Sequence, residues 1–312
     1  MDVNTIKNED NKTCPFILSP KNKILVYGSK GTQTKELMNF LLNDGNEVAY
    51  LSFSELTEND IYTFPIGIYI IKGNDRDISD YLKSANTLIF YCQDSCSLKD
   101  TVDGFYSVYN LVEKYNKNIN FVLVSTTEVY GRKINGMLFA DSRLNPSTQK
   151  GKEYEIMEYY TYRLPSYKII RISELYTDKV KKEISDFIDY IKKLHVVKIP
   201  QNKEYINFVY PETLYKAIKI LMNSQNQIVI HLTDTPSLTF QTFIHTLATL
   251  YNKKIKTSTK IQSMFMVFSK NIPNIFKYDQ NLSTIEQESF GLTSYKSTTG
   301  VVKDLVDMAV KQ

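Results

Sequence analysis

Histidine and cysteine are scarce in this sequence, with three residues of each among 312. The cysteines are Cys14, Cys92 and Cys96, and the histidines are His195, His231 and His245. The number of cysteines is odd, no histidine accompanies the closely spaced pair, and the histidines are far apart along the chain. The pattern of a metal site is therefore missing, and reduced thiols in a cytoplasmic protein are the expectation.

An excess of one charge and long apolar runs are also missing. The chain has 38 Lys and Arg against 34 Asp and Glu, and its lysines are scattered and often neighbour acids, which argues against a nucleic-acid partner. The first 22 residues carry acids near the start, so we expect neither a secretory signal nor a membrane span. A hydrophobic content of 42% is enough for the core of a soluble globular protein.

Short apolar runs alternate with segments of helical spacing. Strands are predicted at Lys23–Gly28, Glu47–Phe53, Ile66–Gly73, Asn86–Cys92, Ile119–Thr126, Tyr167–Ile172, Tyr205–Tyr210 and Gln227–Leu232. Helices are predicted at Glu36–Gly45, Asp103–Asn116, Lys182–Lys193, Pro211–Met222 and Ser237–Lys253. The nearly continuous apolar strands favour an α/β fold with a Rossmann-type, doubly wound parallel sheet.

The alternation loosens after the middle of the chain, which suggests a division into parts. We expect a mobile N-terminal tail over residues 1–22 and a Rossmann domain over 23–175. The strand near 227–232 would return to the sheet of that domain. Residues 176–312 would then form mainly a smaller, substrate-binding lobe.

A glycine-containing turn, YGSKGTQT (Tyr27–Thr34), lies where the first predicted strand passes into the first helix. Gly28 and Gly31 would let the backbone approach a pyrophosphate at the positive end of that helix, with Lys30 and Thr32 as neighbouring contacts. The third glycine of the usual fingerprint is replaced by Thr34, which we expect to push the helix off the strand and weaken binding. A purely structural turn is the alternative.

The end of the second predicted strand carries Ser52, with Ser54 close behind. An acid at this place would hold the ribose hydroxyls of NAD, whereas a nearby arginine would accept the 2′-phosphate of NADP. Neither is present, so the choice between NAD and NADP stays open.

The segment VSTTEVYG (Val124–Gly131) ends a buried strand with hydroxyl groups and a carboxylate, where α/β sheets place their ligands. Here the chain resembles the extended short-chain dehydrogenase/reductases, the nucleotide-sugar epimerase and dehydratase group. Further matches in chain order are GNDRD (Gly73–Asp77), VDGFYSVYNLVE (Val102–Glu113), IRISELYTD (Ile170–Asp178) and YINFVYPETLYKAI (Tyr205–Ile218). The resemblance covers the chain after residue 22.

The resemblance implies catalytic positions at Thr126, Glu128, Thr148 and Lys152. Thr126 matches the hydroxyl that binds the reacting oxygen, and Lys152 matches the lysine that holds the nicotinamide ribose. Thr148 stands where the family has its proton-transferring tyrosine, and a threonine hydroxyl is far too weak an acid for that role. Thr127 replaces the acidic aspartate of the dehydratases, while Glu128 remains.

The resemblance also implies further cofactor contacts. These lie at Asn74 and Asp75 of the adenine-side motif, at Cys92 after the fourth strand and at Lys152.

The stretch PSTQKGKEYEIME (146–158) predicts a helix with Asn145 as its cap and Pro146 as its first residue. It looks like the atypical branch of the family, where a P-T-x-x-G-x-x-R/K-x-x-x-E helix replaces Tyr-x-x-x-Lys. Because lysines and glutamates alternate in it, a solvated face is the alternative. Tyr154 lies two residues past Lys152 and points to another side of the helix, so it is a poor substitute for the missing phenol.

Two other features invite a simpler interpretation. Tyr215 and Lys219 have Tyr-x-x-x-Lys spacing, but 23 tyrosines make such a pair expected by chance. The apolar stretch Ser263–Phe276 fits a substrate cleft, a dimer face or a core helix.

Two functional hypotheses follow. The first is an NAD- or NADP-binding protein of the nucleotide-sugar epimerase/dehydratase type with weakened or altered catalysis. The second is a catalytically silent dinucleotide-binding sensor or partner subunit. A nucleotide sugar or similar small molecule is the expected partner, with neither nucleic acid nor membrane, and a homodimer is compatible with the sequence.

Overall fold

A computed structural model describes residues 22–72, 75–92, 96–200, 204–236, 238–258, 279–293 and 297–310. Its strands are β1 (Lys23–Gly28), β2 (Glu47–Ser52), β3 (Tyr69–Lys72), β4 (Thr87–Tyr91), β5 (Asn120–Thr126), β6 (Lys133–Leu138), β7 (Tyr167–Ile172), β8 (Glu174–Leu175), β9 (Val196–Pro200), β10 (Phe208–Val209), β11 (Ile228–Leu232), β12 (Lys254–Ser258) and β13 (Asp279–Leu282). Its helices are α1 (Thr32–Asn43), α2 (Glu58–Tyr62), α3 (Asp75–Ser84), α4 (Leu98–Tyr115), α5 (Gln149–Thr161), α6 (Asp178–Lys193), α7 (Pro211–Met222), α8 (Phe240–Leu250), α9 (Ile285–Ser289) and α10 (Thr298–Val310).

Seven parallel strands form the central sheet in the order β3-β2-β1-β4-β5-β7-β11. One core cluster packs on one face with α1 and α7, and a second packs on the other face with α3, α4 and α5. Both faces are covered, which explains the nearly continuous apolar runs. The predicted Rossmann-type α/β fold is confirmed, and the strand order reverses between β1 and β4.

The strand near 227–232 does return to this sheet, because β11 pairs with β7 from Ile228 to Leu232. A third core cluster lies in the C-terminal part and is built mainly by α6, α8, α10 and β9. The division into a domain over 23–175 and a lobe over 176–312 stays a prediction. The tail residues 1–21 and the stretch Ser263–Phe276 lie outside the described residues.

Several predicted elements have other bounds in the structure, and α1 and α4, for example, begin four and five residues earlier than predicted. The segment Tyr205–Tyr210 is a strand only at Phe208–Val209, because Tyr205 instead bridges to Thr239. Helix α5 has Thr148 as its N-cap, not Asn145, because the Thr148 hydroxyl accepts a hydrogen bond from the Gly151 amide at 3.0 Å. Among the described residues no helix is long and apolar enough to cross a membrane.

A buried ion pair ties α5 to the sheet. Arg171 of β7 contacts both carboxylate oxygens of Glu158 on α5, with Nη2 2.7 Å from Oε2 and Nε 3.0 Å from Oε1. Both side chains are almost fully buried, and Ser125 of β5 donates a third hydrogen bond to Glu158 at 2.6 Å. Because the charges are paired and their remaining hydrogen bonds are satisfied, burial is tolerated.

The network continues from Arg171 to the edge of the sheet. Arg171 Nη1 donates to the Tyr130 hydroxyl at 2.9 Å, and this hydroxyl lies 3.0 Å from Nδ1 of His231 on β11. The other ring nitrogen of His231 is 2.6 Å from the Ser283 carbonyl, which only accepts, so the proton of the neutral ring is on Nε2. Burial, reinforced by the Arg171 charge and opposed by the Ser283 carbonyl and Glu286, lowers the pKa of His231.

We predict that His231 makes stability fall with decreasing pH. The unfolded chain takes up the histidine proton near pH 6.5, whereas the folded chain takes it up only at lower pH. Stability is therefore full above about pH 6.5 and decreases below it. Urea unfolding at several pH values between 8 and 5 should show this loss, and His231→Gln, which does not titrate, should show a smaller one. Equal pH dependence in both proteins would contradict the assignment.

Candidate functional site

The turn after β1 lies at the point where the strand order reverses. Gly28 pairs with Tyr91 at the end of β4, and a Cβ atom on Gly28 would lie 2.4 Å from the Tyr91 carbonyl oxygen. Gly31 is the N-cap of α1 with extended backbone at φ −74°, and Thr32 is the first helical residue. The first amides of a helix have no partner within it, so this turn offers donors to an anion.

Thr34, at the place of the third glycine, lies between the turn and the helix. It is 1% exposed, and its hydroxyl is 3.3 Å from that of Ser29. Its Oγ1 and Cγ2 would lie 3.0 and 3.1 Å from a Cβ on Gly28. The threonine thus fills the space beside Gly28 from within the first turn of α1.

A cavity of about 570 Å³ opens beside this turn, between the ends of β1 and β2 and the start of α4. Its lining includes Tyr27, Gly28, Ser29, Lys30, Ser52, Phe53, Ser54, Asp100, Asp103 and Gly104. The volume and the mixture of aromatic rings with a few polar groups are those of a small-molecule site. Asp100 and Asp103 were not predicted as site residues, although their place at the start of the helix after β4 was a usable signal.

The predicted polar contacts of this cavity are partly engaged within the chain. Lys30 Nζ lies 3.3 Å from Asp60 Oδ2 and 3.2 Å from the Glu55 carbonyl. Ser52 is buried and donates its hydroxyl proton to the Ser54 carbonyl at 2.8 Å. Asn74 lies outside the described residues, and Asp75 is described only as the first backbone position of α3.

A second polar group lies at the end of β5 and the start of α5. The Thr126 hydroxyl accepts the Glu128 amide at 3.3 Å. The Glu128 carboxylate accepts the Thr148 hydroxyl at 2.7 Å and pairs with Lys150 at 3.4 Å. The structure therefore brings Thr126, Glu128 and Thr148 together and adds Lys150.

Lys152 is not part of this group. Its side chain is exposed, whereas the buried positions of α5 are Gly151, Tyr154, Met157, Glu158 and Thr161. The expected placement of Lys152 towards a cofactor ribose has no support from this geometry. The helix rotation that excludes Lys152 follows from Glu158, which must face Arg171.

Tyr154 occupies the inner face of α5 instead. It is 1% exposed, and its hydroxyl donates to the carbonyl of Cys92, directly after β4, at 3.0 Å. Burial raises the pKa of its phenol well above the usual value. In the G-x-x-R/K-x-x-x-E pattern, Gly151 and Glu158 supply the glycine and the acid, so Tyr154 stands at the basic position.

No protein-family model matches the sequence, and no curated protein matches it. Solved structures do match. A dTDP-glucose 4,6-dehydratase from Bacillus anthracis in complex with NAD is 15% identical over 93% of this chain and 97% of that chain, with a TM-score of 0.63. The enzyme WbmG from Bordetella bronchiseptica in complex with NAD is 12% identical over 94% and 96%, with a TM-score of 0.65.

A dTDP-4-dehydrorhamnose reductase from Clostridium acetobutylicum is 16% identical over 93% of this chain and all of that chain, with a TM-score of 0.59. This chain has the fold of these enzymes. At such identities the likeness shows the fold alone, so residue roles must come from the geometry described above.

We predict that Thr148 acts as a helix cap. Thr148→Ala should lower the free energy of unfolding by about 1 kcal/mol, because the Gly151 amide loses its acceptor. Thr148→Ser, which keeps the hydroxyl, should retain most of the stability, and urea unfolding measures both. Nucleotide binding should be the same in all three proteins. A large loss of binding in Thr148→Ala with unchanged stability would contradict this role.

Proposed function

We propose that the protein binds an adenine dinucleotide, NAD or NADP, and belongs functionally with the nucleotide-sugar epimerase/dehydratase type, with weakened or altered catalysis. The observation that carries the proposal is the glycine turn at the start of α1, which opens onto a cavity of about 570 Å³ at the reversal of strand order. Open parallel sheets bind nucleotides at this place. Solved structures of the same fold that contain NAD support it.

The turn fits a pyrophosphate. A side chain on Gly28 would collide with the Tyr91 carbonyl, so the backbone there is bare and close-packed. The amides from Gly31 onwards and the positive end of the 12-residue helix α1 would hold the phosphate oxygens. Adenine and its ribose would lie between Phe53, Ser52 and the α4 residues of the cavity.

The charges around the cavity favour NAD over NADP. Asp100 and Asp103 contribute two carboxylates to the lining, and the lining lysine, Lys30, is already paired with Asp60. A 2′-phosphate would meet more negative than positive charge there. Both acids are exposed, so solvent screening keeps this preference modest.

A bound nicotinamide would supply hydride transfer, and the chain would have to hold the substrate oxygen and move a proton. The Thr126 hydroxyl oxygen accepts a hydrogen bond from the Glu128 amide. Its hydroxyl proton can be donated to a substrate oxygen. Glu128 is the titratable group beside it, and its carboxylate already receives the Thr148 hydroxyl. Loss of a positioned acid or base costs roughly 10²–10⁴ in rate.

The second candidate is a silent dinucleotide-binding sensor or partner subunit. It is favoured by the capping role of Thr148 and by the exposed position of Lys152. Turnover with nucleotide sugars discriminates between the two, since a sensor would bind the dinucleotide without exchanging hydride.

Fluorescence titration with NADH and NADPH tests the proposal, and the absence of tryptophan keeps the background low. We expect saturable binding by the wild-type chain and its loss in Gly31→Val. The Gly31 backbone, at φ −74° and ψ 170°, accepts any residue, so the variant should fold normally. Its side chain would block approach of the pyrophosphate.

Circular dichroism and thermal unfolding confirm that Gly31→Val is folded before binding is compared. The proposal is wrong if neither dinucleotide saturates the wild-type chain up to millimolar concentration. It is also wrong if a folded Gly31→Val binds as well as the wild type.

A further inference from the structure

The two sides of the strand reversal differ in the contacts that they offer to a ligand. The β1–β2 side has a cavity of about 570 Å³, whereas the polar side chains described on the β4–β5 side are engaged within the chain. A dinucleotide spans both sides, one mononucleotide on each. The contacts available on the β4–β5 side therefore determine how tightly the second mononucleotide is held.

Tyr154 lies against the end of β4. Its hydroxyl donates a hydrogen bond to the Cys92 carbonyl at 3.0 Å, and the residue is only 1% exposed. One turn earlier, Gly151 packs so tightly on the turn after β5 that an added Cβ would lie 2.6 Å from the Glu128 carbonyl. Helix α5 is thus pressed against the sheet, and the ring of Tyr154 is held beneath it.

The polar groups at the end of β5 are engaged as well. The Glu128 carboxylate is bound by Thr148 and Lys150, and its side chain is only 14% exposed. Lys152, the cation expected to reach a ribose here, is in solvent. On this side the described residues offer a nicotinamide ribose neither a free phenol nor a facing cation, whereas the turn and the cavity offer contacts to the adenosine diphosphate half.

We propose that the site accepts the adenosine 5′-diphosphate moiety alone. Free adenine nucleotides such as ADP-ribose then bind as tightly as the complete dinucleotide, and the nicotinamide ring gains no contact. This inference rests on the proposed nucleotide binding and narrows its ligand class. The diphosphate lies on the Gly28–Thr32 turn, and the base lies in the cavity that Phe53 and Asp103 line.

Isothermal titration of the full chain with NADH and with ADP-ribose tests the inference. The two ligands carry the same charge and differ only in the dihydronicotinamide ring. We expect dissociation constants within about threefold, which corresponds to less than 1 kcal/mol. NADH binding more than tenfold tighter than ADP-ribose would overturn the inference and leave the proposed dinucleotide binding intact. Binding of neither ligand would overturn both.

A variant pair gives an independent readout. Tyr154→Ala removes the ring and should raise the affinity for NADH relative to ADP-ribose at least tenfold, whereas Tyr154→Phe keeps the ring and should leave the ratio unchanged. Truncating a buried aromatic ring is costly, so folding of Tyr154→Ala is checked first. An unchanged ratio in a folded Tyr154→Ala protein would contradict the inference.

Saturation-transfer NMR on wild-type protein with NADH needs no variant. Strong transfer to the adenine protons with little to the dihydronicotinamide protons is expected. Equal transfer to both rings would overturn the inference.

Discussion

The buried ion pair between Arg171 and Glu158 fixes the rotation of α5, and the arrangement of the candidate site depends on it. Glu158 must face β7 to pair with the guanidinium, so residues one and two turns earlier, Tyr154 and Gly151, face the sheet as well. Lys152 is then directed to solvent. Removing one member of such a pair leaves an uncompensated buried charge, which typically costs about 3–5 kcal/mol.

Much of the fold could be predicted from sequence because its strands are buried on both faces. The bounds of β1 and β7 were predicted to the residue, as was the start of α7 at a proline. The length of β10 was overestimated. Next to it, Asn207 bonds through its side chain and Tyr205 forms an isolated bridge, and periodicity reveals neither contact.

The candidate site was harder to predict than the fold. Helix α5 carries charged residues all around, and one of its inward-facing residues, Glu158, is itself an acid whose charge Arg171 neutralises. A hydrophobic pattern therefore does not show which side faces the sheet. The glycine turn was predictable, because Gly28 is required by a local backbone approach. The placement of Lys152 and Tyr154 was not predictable, because it depends on the pairing of Glu158 with Arg171, 13 residues further along the chain.

The two halves of the strand reversal thus have different chemistry. The β1–β2 half combines helix amides, aromatic rings and polar side chains around an open cavity, which suits a phosphorylated nucleoside. In the β4–β5 half, the hydroxyl of Tyr154 and the carboxylate of Glu128 are satisfied by the protein. On the proposal above, the β1–β2 half binds the adenosine diphosphate, and the β4–β5 half leaves a nicotinamide ring without contacts.

A crystal structure of the NADH complex tests this asymmetry most directly. The account predicts ordered adenosine and diphosphate against the Gly28–Thr32 turn, no ordered dihydronicotinamide ring, and the Tyr154 hydroxyl still bonded to the Cys92 carbonyl. A dihydronicotinamide ring ordered beside Thr126, with Tyr154 displaced from Cys92, would contradict it.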